Sequence, residues 1–143
     1  MLSSFSGWGS NTGIARATVR VDGFGSLTAP YEFSDNVSAL SYFETAALQL
    51  PAAGACAASL QLHLNVQTSV AGYVATELRD ASTGAALPAF SAQNADPVRG
   101  NFVRRPVSWL GATSLNSLTG RAILVRVYAA DAHIFSLTFR CDQ

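Results

Sequence analysis

Nine carboxylates, two imidazoles, two thiols and nine guanidinium groups are the reactive side chains of this sequence of 143 residues. Every basic residue is Arg, which excludes Schiff-base and phosphate-loop lysine chemistry. Glycoside hydrolysis needs two carboxylates about 5–10 Å apart across the scissile bond. Asp22, Asp80, Asp96 and Asp131 stand in turn contexts, where Asp normally bonds its own backbone. Glu77 alternates onto the outer face of a predicted strand, and no acidic pair is marked out. Nucleophilic catalysis has no Gly-x-Ser-x-Gly elbow to build on. His63 has no nucleophile set beside it, and His133 reads as a turn residue. Neither His has a second ligand at metal-binding spacing. The chemistry points away from an enzyme, with no catalytic residue, metal or cofactor expected.

Neutral recognition is the better-supplied option. Gln61, His63, Asn65 and Gln67 alternate with Leu60, Leu62, Leu64 and Val66. A strand with that period carries the four polar groups on one face. Amides and imidazole supply donors and acceptors together, as a hydroxyl-rich ligand requires. These four are the candidate ligand-binding residues, with Tyr42, Tyr73 and Tyr128 as candidate stacking rings. The same row also fits an ordinary wetted sheet face. Arg79, Arg99, Arg104 and Arg105 are the notable cations. Arg104-Arg105 before Pro106 reads as a charged edge that blocks unwanted strand pairing.

The elements that position these residues repeat with a period of two. Tyr73–Arg79 places Val74, Thr76 and Leu78 on one face. Ile123, Val125 and Val127 alternate with Leu124, Arg126 and Tyr128, and Phe135, Leu137 and Phe139 with Ser136, Thr138 and Arg140. Shorter cases are Ala17, Val19 and Val21, and Val107 with Trp109. Val70-Ala71-Gly72 predicts a hairpin between the 60–67 and 73–79 strands. Asp22-Gly23, Asp80–Gly84 and Asp131-Ala132 predict breaks. Residues 52–58 read as loop and 113–120 as holding one short helical turn. The core is expected from Leu60, Leu62, Leu64, Val74, Leu78, Val107, Trp109, Ile123, Val125, Val127, Phe135, Leu137 and Phe139.

Hydrophobic residues make up 49% and charged residues 13%, which suits a folded domain and not a disordered chain. The formal net charge is zero, so no basic excess drives nucleic-acid or membrane-surface binding. No apolar run approaches a membrane span of about 20 residues. Many short strands with frequent turns predict an all-β fold, a β-sandwich or a barrel; of the two, a two-sheet antiparallel β-sandwich is the expectation. Residues 1–13 form a Gly/Ser-rich flexible segment and 14–143 one sandwich domain. Residues 1–9 lack the basic start and apolar run of a signal peptide. The chain is therefore either cytosolic or a piece of a longer secreted protein. Two Cys make no disulfide framework, so Cys56 and Cys141 read as small buried residues that do not meet.

Several motifs recur in a familiar order. They are Arg20-Val21-Asp22-Gly23-Phe24, Leu62-His63-Leu64-Asn65, the loop Phe90 to Asn101, and Val107-Ser108-Trp109. Leu118-Thr119-Gly120 and Leu137-Thr138-Phe139 close the series. Together they resemble the C-terminal β-sandwich domain that follows β-propellers in bacterial glycosidase-like proteins, over roughly residues 20 to 141. The resemblance implies a jelly-roll sandwich with an accessory role, because the hydrolytic carboxylates of such proteins lie in the propeller. It implies a parent catalytic domain or other protein as partner, with carbohydrate contact as an added capacity. Gln93, Asn94 and Asn101 stand where the family often has acids. That leaves Asp96 alone in the loop, short of the charged oxygens calcium prefers. The alternatives are a free-standing carbohydrate-binding domain and a structural protein that oligomerises through its sheet faces.

Overall fold

The computed structural model describes residues 18–31, 34 and 36–142; the flexible segment expected over 1–13 lies outside them. The described chain is all-β and antiparallel. Its strands are β1 (Leu27–Ala29), β2 (Tyr42–Glu44), β3 (Leu48–Gln49), β4 (Ser59–Asp80), β5 (Asn101–Pro106) and β6 (Ala122–Asp142). Single 3₁₀ turns at Val37–Ala39, Pro88–Phe90 and Asn116–Leu118 are the described helical elements. The last meets the turn expected within 113–120. The strands form one curled sheet. β6 pairs with β4 on one edge and with β1, β2 and β3 on the other, and β5 continues the sheet beyond β4.

The expected hairpin at Val70–Gly72 is absent. β4 runs through it for 22 residues and pairs with β6 from Ser59↔Asp142 to Asp80↔Ile123. Residues 69–72 bulge out between Thr68↔Ala132 and Tyr73↔Ala130. Two local features explain the bulge. The Ser69 hydroxyl accepts hydrogen bonds from the amides of Ala71 and Gly72, at 3.2 and 3.0 Å, which folds the excess chain on itself. Gly72 also lies so near β6 that a Cβ there would stand 2.2 Å from the Asp131 carbonyl oxygen. The break expected at Asp131-Ala132 is a bend within β6. Asp131 takes a φ of +44°, a left-handed conformation that Asp tolerates better than most residues.

Bulges also reset which side chains face the core. On β6, Ile123, Val125, Val127 and Ala129 point inward, then Ala132 and Ile134, with Leu137 and Phe139 packed against the cluster. Each change of parity matches a register shift. A one-residue shift turns a strand over, so Ile134 takes the buried place expected for Phe135. The other ten members of the expected core are buried, while Leu137 and Phe139 are half-buried. Even-numbered residues on both halves of β4 reach the same cluster, because the curl brings the halves around one core.

Four further expectations are corrected. Residues 18–20 form no strand, and Val19 and Val21 are exposed. His63, Asn65 and Glu77 are 5, 1 and 5% exposed, so the odd-numbered face of β4 is not a wetted surface. The 84–98 segment runs along the edge of its upper half, bridging at Arg79↔Ala86 and Val74↔Val98, and its Ala92 amide reaches over this face to donate to Glu77. Tyr128, expected outward, packs with Leu40, Ala92 and Ala130 in a second small cluster. Finally, Cys56 and Cys141 form a disulfide. The sheet register explains their meeting: Leu60 lies opposite Cys141, so the 52–58 loop comes back over the end of β6.

Leu62, fully buried, should lose about 2–5 kcal/mol on substitution to Ala, read by urea unfolding. The disulfide spans 85 residues, so reduction or Cys141→Ala should cost about 2–5 kcal/mol. Equal midpoints with and without reductant would show that the bond contributes nothing.

Candidate functional site

The carboxylates come first, because hydrolysis would need two of them. Glu77 accepts from Arg79 at 2.6 Å and from the Ala92 amide at 3.3 Å. Glu44 pairs with Arg126 at 2.9 Å and lies 3.5 Å from Arg79. These side chains cross the sheet as one row, since Glu44 and Glu77 both stand opposite Arg126. Asp80 accepts from the Ser82 and Thr83 amides at 2.9 and 3.1 Å and from Arg121 at 2.7 Å. The Ser82 hydroxyl, followed by Arg121 and the two amides, holds its carboxyl well below the usual range. Asp96 accepts from the Ser108 hydroxyl at 2.6 Å and the Gly111 amide at 2.8 Å, which lower its pKa in that order. It ties its loop to the Ser108–Gly111 turn instead of capping its own backbone. Asp22 has a positive φ in a turn, and Asp131 a positive φ at the bend within β6. The other four of these six acids, Glu44, Glu77, Asp80 and Asp96, are tied to Arg, hydroxyl or amide partners.

The predicted polar row is only partly assembled. Gln61 is half-buried and Gln67 exposed, with His63 and Asn65 buried between them. Asn65 accepts from the Arg20 guanidinium and donates to the Val21 carbonyl at 2.8 Å. Arg20 also donates to the Asn101 side chain and to the carbonyls of Phe102 and Val66, and its guanidinium lies 4.8 Å from the Phe135 ring centre. Charge-assisted bonds of this kind are the strong ones. Asn65 therefore clamps the 20–23 turn onto the sheet and is not open to a ligand from that side. His63 and Asn65 form the floor of a polar cleft of about 300 Å³. Gln61 and Gln67 do not line it.

A larger concavity, of about 600 Å³, lies beside the upper half of β4. Tyr73, Gln93, Arg99, Asn36 and Tyr31 supply its recognition groups, with Ala75, Ala92 and Ala95 as small apolar wall. The Arg99 guanidinium stacks 4.9 Å from the Tyr73 ring centre and donates to the Gly72 carbonyl at 3.2 Å. Tyr73 in turn donates to the Ser34 carbonyl at 3.4 Å. The bulge at 69–72 thus anchors Arg99, and Arg99 fixes Tyr73. Tyr31 is 65% exposed and presents an open ring. No carboxylate stands among the described lining residues. Of these groups, sequence reasoning found Tyr73 as a ring and Arg99 as a notable charge. It missed Tyr31 and Asn36, which lie in a stretch with no period to read. Tyr42 and Tyr128 contact each other, with ring centres 5.5 Å apart, and neither lines this cleft.

Among the described residues no group of three or more His, Cys, Asp or Glu could hold a metal ion. Comparison with protein-family models, curated proteins and solved structures finds no match.

The lowered Asp80 and Asp96 pKa values have a consequence for acid stability. A depressed carboxyl stabilises the fold above the unfolded value of about 3.9, and that contribution is lost as pH falls through the lower folded value. Asp96→Asn should reduce stability at pH 7 and flatten its loss as pH falls below the unfolded value of about 3.9. Thermal melts on both sides of that value check it; an unchanged acid limb would contradict the assignment.

Proposed function

We propose that this chain is a non-catalytic accessory β module that braces a catalytic domain and contacts carbohydrate. On this reading the curled sheet is a two-sheet jelly-roll sandwich of the kind attached to glycosidase-type β-propellers. The observation that carries the proposal is the contrast between acids and concavity. Glu44, Glu77, Asp80 and Asp96, all off the 600 Å³ cleft, are tied to Arg, hydroxyl or amide partners, whereas the cleft offers rings, amides and a guanidinium. A sugar presents an apolar CH face and a rim of hydroxyls. An exposed ring such as Tyr31 suits the first, and neutral amides suit the second at modest desolvation cost. The Cys56–Cys141 bond supports maturation in an oxidising compartment, where such disulfides persist. The bracing role draws on exposed apolar side chains along the 19–27 segment: Val19, Val21, Phe24 and Leu27 are 60, 65, 93 and 55% exposed. Clustered apolar exposure of this kind marks protein contact.

The experiment pairs binding with turnover. Neutral trisaccharides (maltotriose, cellotriose, xylotriose) are titrated while the amides of residues 93–99 are followed by NMR. Affinity of order 0.1–1 mM is expected, because few contacts must offset lost translational freedom. Tyr31→Ala should weaken it about three- to tenfold. A panel of chromogenic glycosides should show no hydrolysis. Turnover that survives purification and is lost in Glu77→Gln or Asp96→Asn would overturn the proposal, and so would silence of the 93–99 amides at millimolar sugar.

A further inference from the structure

The motif Arg20-Val21-Asp22-Gly23 has no part in the Tyr73 cleft, yet it builds the wall of another. Arg20 and Asn65 hold the turn across β4 and β5, as described above. Asp22 takes a φ of +56°, and the Gly23 amide closes the turn onto the Arg20 carbonyl at 2.9 Å. A Cβ on Gly23 would stand 2.6 Å from that of Arg20, so the tight turn requires glycine. Val21 and Asp22 thereby overhang the lower half of β4.

Beneath them the sheet register assembles a cationic floor. Odd-numbered β4 residues share a face with their β6 partners: Gln61 with Arg140, His63 with Thr138 and Asn65 with Ser136. Directly opposed side chains in a sheet lie within about 5.5 Å of one another. β5 adds Arg104 from the other edge, at the register shift between Leu64 and Val66. The cleft is lined by Arg104, Arg140, His63, Ser136, Thr138 and Asp22 among others. Arg104 and Arg140 bring two guanidinium groups to this lining, and Asp22 brings a carboxylate. Arg104 makes no ion pair with any described residue, whereas its neighbour Arg105 stacks 5.3 Å from the Phe102 ring. The adjacent Arg residues thus have separate roles: Arg105 packs on its own strand and Arg104 lines the cleft.

We propose that this cleft binds the anionic group of a saccharide, a uronate carboxylate or a sugar sulfate. Guanidinium forks match the planar geometry of a carboxylate and the tetrahedral oxygens of a sulfate. The Ser136 and Thr138 hydroxyls can donate beside them, and Asp22 at the rim accepts from sugar hydroxyls. A volume of about 300 Å³ admits one sugar ring. The saccharide part rests on the carbohydrate-contact reading given above; the two clefts are separate, and one set of spectra reads each independently.

The test is an NMR titration of the full chain with glucuronate, with glucose and with inorganic phosphate. Glucuronate is expected to shift the amides of His63, Arg104 and Ser136 to Arg140, while glucose at equal concentration does not. Arg104→Gln and Arg140→Gln should each weaken glucuronate about tenfold and leave the neutral-trisaccharide response at residues 93–99 unchanged. Both replaced side chains are exposed on strands, so the fold is retained, and an unchanged spectrum elsewhere checks this. Equal shifts from glucose and glucuronate would overturn the inference. So would inorganic phosphate binding as tightly as glucuronate, which would mark a bare-anion site, or no shift at tens of millimolar glucuronate. Loss of the trisaccharide response alone would count against the Tyr73 cleft and not against this one.

Discussion

The pairing of β4 with β6 is the constraint on which the rest of the molecule depends. These two strands, of 22 and 21 residues, lie side by side at the centre of the sheet, and every other strand pairs with one of them. Nothing local brings them together, since more than forty residues separate Asp80 from Ala122. Their register puts Leu60, Leu62, Leu64, Val74 and Leu78 on the inner face with Ile123, Val125 and Val127. Burying a large aliphatic side chain is worth about 1.5–3 kcal/mol, so that shared face is the main force holding the ladder. The disulfide at its lower end adds a covalent tie.

Bulges in the ladder turn a structural element into a surface with recesses. At residues 69–72 the excess chain leaves room beside Tyr73, and its carbonyls anchor Arg99. At Asn65/Val66 the register shift puts Ile134 into the core and turns Phe135 out to meet Arg20. A regular ladder would present a flat face in both places. Bulges commonly re-aim side chains beside binding sites, and here each stands next to one of the two clefts.

The long alternating strands were legible in the sequence, whereas the short alternations at Val19 and Val21 and at Val107 with Trp109 mark no strand, and strand connection was not legible. The alternation over Ser59–Gln67 and over Tyr73–Arg79 correctly marked both halves of β4, because a buried face enforces a period of two. The Val70-Ala71-Gly72 stretch looked like a turn because small residues suit turns and bulges equally, and only the distant partner decides between them. The same limit applies to His63, Asn65 and Glu77. Polar residues alternating with Leu imply a wet face only when nothing covers it, and the covering came from Ala92 in the 84–98 segment and from the Arg20 turn. Cys56 and Cys141 were read as separate because two thiols carry no pattern; the ladder register is what brings them together. Of the candidate site, His63 and Asn65 line the smaller cleft, while the larger one is built mainly from residues outside any strand period.

The central claim is that β4 is one strand paired with β6 through both bulges, so that the clefts are features of one continuous ladder. Cross-strand nuclear Overhauser contacts test it directly. The account predicts contacts between Leu62 and Phe139 and between Leu78 and Val125 in the same spectrum, one pair from each side of the 69–72 bulge. Contacts running instead between residues 60–67 and 73–79, as a hairpin at Val70–Gly72 would give, would contradict it.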